Sequence, residues 1–168
     1  KLLQENGKEA TPEELAKLAC KIEIDILGHP IGKQDQYASA LGGINKLVFQ
    51  PDDSVQCEPI QLNTEVEEEL CSNLLLFYTG RTRSANKILK VLQAQMSQEK
   101  TYEALRHLRD LAMTLYENME RNNIDNFGEM LHEAWIIKRS LADGITDSYI
   151  DFYYKKALEA GADGGKIL

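Results

Sequence analysis

Apolar residues recur every three or four positions along the later part of the chain, and that spacing restricts what it can fold into. Leu105, Leu108, Ala112, Leu115 and Met119 form one stripe, and Phe127, Leu131, Ala134, Trp135 and Leu141 form a second. A third runs through Ile150, Tyr153 and Ala157, with Thr146 placed to cap its helix and Gly161 to end it. A period near 3.6 gathers each set on one side of a helix, so every stripe must be covered by another element. Everything after Gly80 is therefore expected to be helical.

The earlier part mixes signals. Thr11, Pro12 and Glu14 make a T-x-x-E capping box with proline at the first helical position. Leu15, Leu18, Ala19, Ile22 and Ile26 extend this helix as one stripe, and Gly28, Pro30 and Gly32 break it. A short helix is expected from Lys33 to Leu41, closed by Gly42-Gly43. Ile44 to Phe49 and Val55 to Ile60 read as two strands, and Pro51-Asp52-Asp53-Ser54 between them has the chemistry of a hairpin turn. Leu74-Leu75-Leu76-Phe77-Tyr78, ended by Gly80, has the unbroken apolar character of a strand covered on both faces. The fold class is α+β. Gln61 to Glu69 reads as a linker or the start of a new unit, with Glu65, Glu67, Glu68 and Glu69 as a solvated face, and a domain boundary falls between Gln61 and Ser72.

Charge and cysteine usage narrow the partners. A net charge of −8 repels phosphate backbones, so neither nucleic acid nor an anionic membrane is expected as a partner. No apolar run approaches the roughly 20 residues that span a bilayer. Cys20, Cys57 and Cys71 are odd in number and far apart, which fits neither a disulfide framework nor a metal knuckle. A cytoplasmic location is expected. Both ends read as cuts in a longer polypeptide: Lys1-Leu2-Leu3-Gln4-Glu5-Asn6 turns polar at once, and Gly164-Gly165-Lys166-Ile167-Leu168 opens an apolar strand.

The chemistry concentrates between Gly28 and Gly43. Asp35 falls in the first turn of the short helix, with Lys33 two residues before it and Gln34, Gln36 and Tyr37 around it. A helix N-terminus and a nearby cation both favour an ionised carboxylate. Such a group beside a substrate hydroxyl accepts its proton during phosphoryl transfer; the plain alternative is an acid that stabilises its own helix. Arg81 and Arg83 follow the strand-like run, where a guanidinium clamps phosphate or sugar oxygens; alternatively both are solvated. His132-Glu133 opens like a zinc motif, but Ile136 stands where its second histidine belongs. Glu129 and His132 read as a helix-surface pair, and His29 as a loop histidine without a role.

Gly32-Lys33-Gln34-Asp35-Gln36-Tyr37-Ala38-Ser39-Ala40-Leu41-Gly42-Gly43 resembles the segment that carries the catalytic aspartate in GHMP kinases, nearest the heptose 7-phosphate kinases and further from galactokinases and fucokinases. Leu75 to Ala85, with Tyr78-Thr79-Gly80-Arg81-Thr82-Arg83, and Asn126 to Trp135 resemble further segments of the same family. The resemblance implies an ATP- and Mg²⁺-dependent sugar kinase. Its reaction would place a phosphoryl group on the anomeric hydroxyl of D-glycero-D-manno-heptose 7-phosphate, giving the 1,7-bisphosphate. Asp35 would be the catalytic base. Lys33, Gln34, Arg81 and Arg83 would bind substrate, the first two holding Asp35 or touching the sugar. Residues 1–66 would be the C-terminal part of the family's N-terminal domain, and residues 67–168 a truncated C-terminal domain. The family's Gly/Ser-rich phosphate loop has no counterpart here, so no nucleotide- or metal-binding residue is assigned and the chain alone is expected to be inactive. Another sugar as acceptor, or a non-catalytic helical interaction domain, are the alternative readings.

Overall fold

A computed structural model describes residues 10–80, 85–96 and 98–167, leaving aside the side chains of 85–87. The chain divides into two compact units, one ending at Ile60 and the other beginning at Gln61.

The first unit starts with α1, Pro12–Cys20. The Thr11 hydroxyl accepts from the Glu14 amide at 3.2 Å, and the Glu14 carboxylate accepts from the Thr11 amide at 2.8 Å, so the capping box forms as its sequence requires. The helix then widens into a π turn over Lys21–Ile26, in which the Leu27 amide reaches the carbonyl of Ile22. After the Gly28–Gly32 loop comes α2, Gln34–Leu41. The antiparallel strands β1, Asn45–Phe49, and β2, Val55–Pro59, pair from Asn45 opposite Pro59 to Phe49 opposite Val55. Their hairpin is the one the turn residues imply.

Ala16, Cys20 and Tyr37 form the buried centre of this unit, with Ile24, Leu41, Leu47 and Val55 packed around them. The stripe expected on α1 is corrected here: Leu15, Leu18, Ile22 and Ile26 are exposed. Ala16 and Cys20, one turn apart, face inward instead, because α1 meets α2 through its small residues with the Tyr37 ring between them. Burial pushes both the Cys20 thiol and the Tyr37 phenol up from their ordinary pKa values.

The second unit contains α3, Thr64–Asn73; α4, Ala85–Gln95; α5, Glu99–Glu120; α6, Phe127–Arg139; and α7, Ser148–Glu159. The polar stretch from Gln61 is thus mostly helix. Asn63 caps it by accepting from the Val66 amide at 2.9 Å, and Leu70 alone is buried, too little apolar spacing to announce a stripe. The strand expected over Leu74–Tyr78 does not form. Leu75 to Tyr78 are 72–89% exposed, and among the described residues no strand lies alongside to accept their backbone hydrogen bonds.

Trp135, Leu141, Ala142, Ile145 and Ile150 form the core, with Leu105, Leu108, Tyr154 and Ile167 against it. Two details of the expected stripes shift: Ala112 is exposed, and on α7 Tyr154 turns inward while Tyr153 faces out. Asp147, not Thr146, caps α7, accepting from the Ile150 amide at 2.9 Å. The Thr146 hydroxyl instead donates at 2.8 Å to Asp151, which also accepts from Arg139 at 2.9 Å. His132 is not paired with Glu129 on the surface. Its Nδ1 lies 2.7 Å from the Tyr154 hydroxyl, and the two rings stack.

The final segment crosses α6 at close range. A methyl group on Gly164 would strike the Gly128 carbonyl and come within 2.9 Å of the His132 side chain, whereas one on Gly165 would make an ordinary 3.6 Å contact with the Tyr154 ring. Gly164→Ala is therefore expected to destabilise the second unit by about 1–3 kcal/mol, as overpacking does. Gly165→Ala should cost well under half as much, and urea denaturation of both variants followed by far-UV circular dichroism checks the difference.

Candidate functional site

The first turn of α2 gathers three of the residues singled out in the sequence. Lys33 is the N-cap, Gln34 the first helical residue and Asp35 the second. Gly28, at a φ of 68°, lets the chain leave the π turn and come back into this helix. Gln34 and Asp35 are both exposed. The Asp35 carboxylate has no hydrogen-bond or ion-pair partner among the described residues.

Lys33 points away from Asp35. Its Nζ lies 2.7 Å from Asp53 Oδ1 and donates to the Asp53 carbonyl at 3.1 Å, in the turn joining β1 to β2. The hydrogen bond to Asp53 holds the Lys33 ammonium above its ordinary pKa. Asp53 has a φ of 67°, the left-handed region that residues with a Cβ seldom occupy. Its neighbour Asp52 accepts from both the amide and the hydroxyl of Ser54, which draws the Asp52 carboxyl below the usual range.

On the opposite side of Asp35, Gln36 is buried and donates through Nε2 to Glu23 Oε2 at 2.9 Å. A carboxylate only accepts, so the amide NH₂ must face it. That leaves Gln36 Oε1 enclosed without a donor, an unmet acceptor that costs about 1–3 kcal/mol. Tyr37 packs its ring edge-on to Phe49, with centroids 6.4 Å apart. Glu23 and Asp53 are the residues that sequence reasoning missed. No motif marks Glu23, Asp53 is marked only as a hairpin-turn residue, and the fold alone brings the two to this turn.

Arg81 and Arg83 lie outside the described residues. Just before them, Gly80 takes a φ of 69°, in keeping with a turn at the end of the Leu74–Tyr78 run. A cavity of about 330 Å³ opens at the other end of α2, between Glu13, Leu41, Gly43, Cys57 and Ile60, and does not include Asp35. Among the described residues no three His, Cys, Asp or Glu side chains are grouped to hold a metal ion. None of the described helices is long and apolar enough to cross a membrane.

No protein-family profile matches the chain. Individual proteins do. The D-glycero-alpha-D-manno-heptose 7-phosphate kinase of Campylobacter jejuni is 30% identical over 153 residues, covering 91% of this chain and 45% of that protein. A solved D-glycero-D-manno-heptose 1-phosphate kinase from Bacteroides thetaiotaomicron superposes on 99% of this chain and 44% of its own, with a TM-score of 0.72 and 25% identity. By sequence and by fold, the chain resembles the GHMP sugar kinases. The Pyrococcus furiosus galactokinase, 27% identical over 183 residues and matched over 93% of this chain and 50% of its own length, agrees with that placement. This GHMP-kinase-like chain spans about half the length of the curated relatives it matches.

Proposed function

We propose that the full-length protein is an ATP-dependent sugar kinase, with the anomeric hydroxyl of D-glycero-D-manno-heptose 7-phosphate as acceptor. The similarity to a heptose 7-phosphate kinase along 91% of the chain carries this reading. The free carboxylate on the first turn of α2 supplies its chemistry.

In this mechanism Asp35 takes the proton of the sugar hydroxyl. The hydroxyl oxygen bonds to the γ-phosphorus of ATP while the bond between that phosphorus and the β–γ bridging oxygen breaks, releasing ADP. Gln34, exposed on the same turn, contacts the sugar, and Arg81 and Arg83 hold phosphate or sugar oxygens. Mg²⁺ neutralises phosphate charge when bound. Among the described residues no three His, Cys, Asp or Glu side chains are grouped to hold it.

The test is a panel assay of the full-length protein with ATP and Mg²⁺ against heptose 7-phosphate, heptose, galactose and fucose, reading ADP release and the product by mass. Heptose 7-phosphate is expected to give a kcat/KM at least about a hundredfold above unphosphorylated sugars, since a site built for a phosphate leaves its cations unpaired without one. Preference for galactose or fucose would replace the acceptor. No turnover on any sugar would overturn the reading.

A further inference from the structure

We propose that Lys33 and Gln36 are positioning residues for Asp35, acting through Asp53 and Glu23 respectively; this rests on the kinase reading above. The two flank Asp35 in sequence and are tied to different elements. Lys33 reaches the β1–β2 turn, meeting both the carboxylate and the carbonyl of Asp53 at 2.7 and 3.1 Å. Gln36 reaches the π turn, donating to Glu23 at 2.9 Å. The turn that bears the base is thereby fixed from two sides, while the Asp35 carboxylate itself stays unengaged by any described residue.

Global stability does not account for these ties. The Asp53 side chain is 90% exposed, and ion pairs with so exposed a member contribute little to folding. Asp53 also adopts a left-handed backbone that glycine would hold without strain. Gln36 is buried with one polar atom unmet, where leucine would leave none. What both ties do accomplish is to fix the orientation of one helical turn. A general base depends on that orientation steeply, because a displacement near 1 Å costs roughly a hundredfold in rate.

The experiment uses Asp53→Gly, Asp53→Asn, Lys33→Met, Lys33→Arg and Gln36→Leu in the full-length protein. Asp53→Gly preserves the left-handed turn while deleting the carboxylate, so folding is retained. Sugar phosphorylation by Asp53→Gly, Lys33→Met and Gln36→Leu should lose about ten- to a hundredfold in kcat, with KM for the sugar changed less than about twofold. Lys33→Arg and Asp53→Asn, which keep a donor and an acceptor, should recover most of the loss. Amide hydrogen exchange at Tyr37, whose N–H donates to the Lys33 carbonyl, should quicken by about tenfold in Asp53→Gly, as expected of a loosened local turn.

Unchanged kcat in both Asp53→Gly and Gln36→Leu overturns the proposal, whatever exchange shows. A raised KM at constant kcat in Lys33→Met also overturns it for Lys33, because that ammonium then touches substrate. A wild-type protein inactive on every sugar overturns the kinase reading instead; unchanged exchange in Asp53→Gly would then overturn the ties as well.

Discussion

Asp35→Asn in the full-length protein is expected to lower kcat by about 10²–10⁴, the contribution of a positioned general base. Asparagine keeps the size of the side chain and removes its ability to take a proton. The substitution should leave the fold intact, because Asp35 is exposed and no described residue depends on its charge. Thermal midpoints should agree within about 2 °C, consistent with the small effects of surface substitutions away from special contacts. KM for the sugar should move little, since the loss falls on the transition state. Steady-state ADP release checks the rate and calorimetry checks the fold. Near-normal turnover in this variant would remove Asp35 from the chemistry, and with it the mechanism proposed above.

Trp135→Ala is expected to be the most damaging change to stability, at about 3–5 kcal/mol. Trp135 is 1% exposed and is the largest fully buried side chain among the described residues. It packs with Leu141, Ala142, Ile145 and Ile150, and its ring lies 5.9 Å from that of Tyr154. A domain typically holds only about 5–15 kcal/mol in all, so this loss brings the second unit close to unfolding. Trp135→Phe should cost much less. It retains most of the apolar volume and removes an indole N–H that is buried without an acceptor. Denaturation followed by far-UV circular dichroism separates the two variants; fluorescence is unsuitable because the sequence has a single tryptophan. An alanine penalty below about 1 kcal/mol would mean that the surrounding residues collapse into the space.

The elements that announced themselves were those whose signals are local. The Thr11–Glu14 capping box, the Pro51–Ser54 turn and the helices after Thr101 formed because each depends on residues within a few positions of one another. Leu74–Tyr78 misled because an apolar run records a tendency to be covered, while a strand also needs a neighbour to receive its hydrogen bonds. At the candidate site, the motif around Asp35 was legible in the sequence. The partners of its neighbours Gln36 and Lys33 were not, because Glu23 and Asp53 lie 13 and 20 residues from them and only the folded chain brings them near. Lys33 shows the same limit. Two residues of separation suggested a cation beside Asp35, whereas the side chain extends to the hairpin.

The π turn at Lys21–Ile26 also governs how this chain is to be matched with others. Closing a ring over five residues rather than four accommodates one residue more than a regular helix of equal rise, so everything beyond is rotated by about 100° about the axis. A counterpart that runs straight through this stretch reaches the same endpoint one position sooner. Superposing the two site by site then requires a single gap between Lys21 and Ile26, and a comparison made without it sets Glu23 opposite a residue that faces a different way.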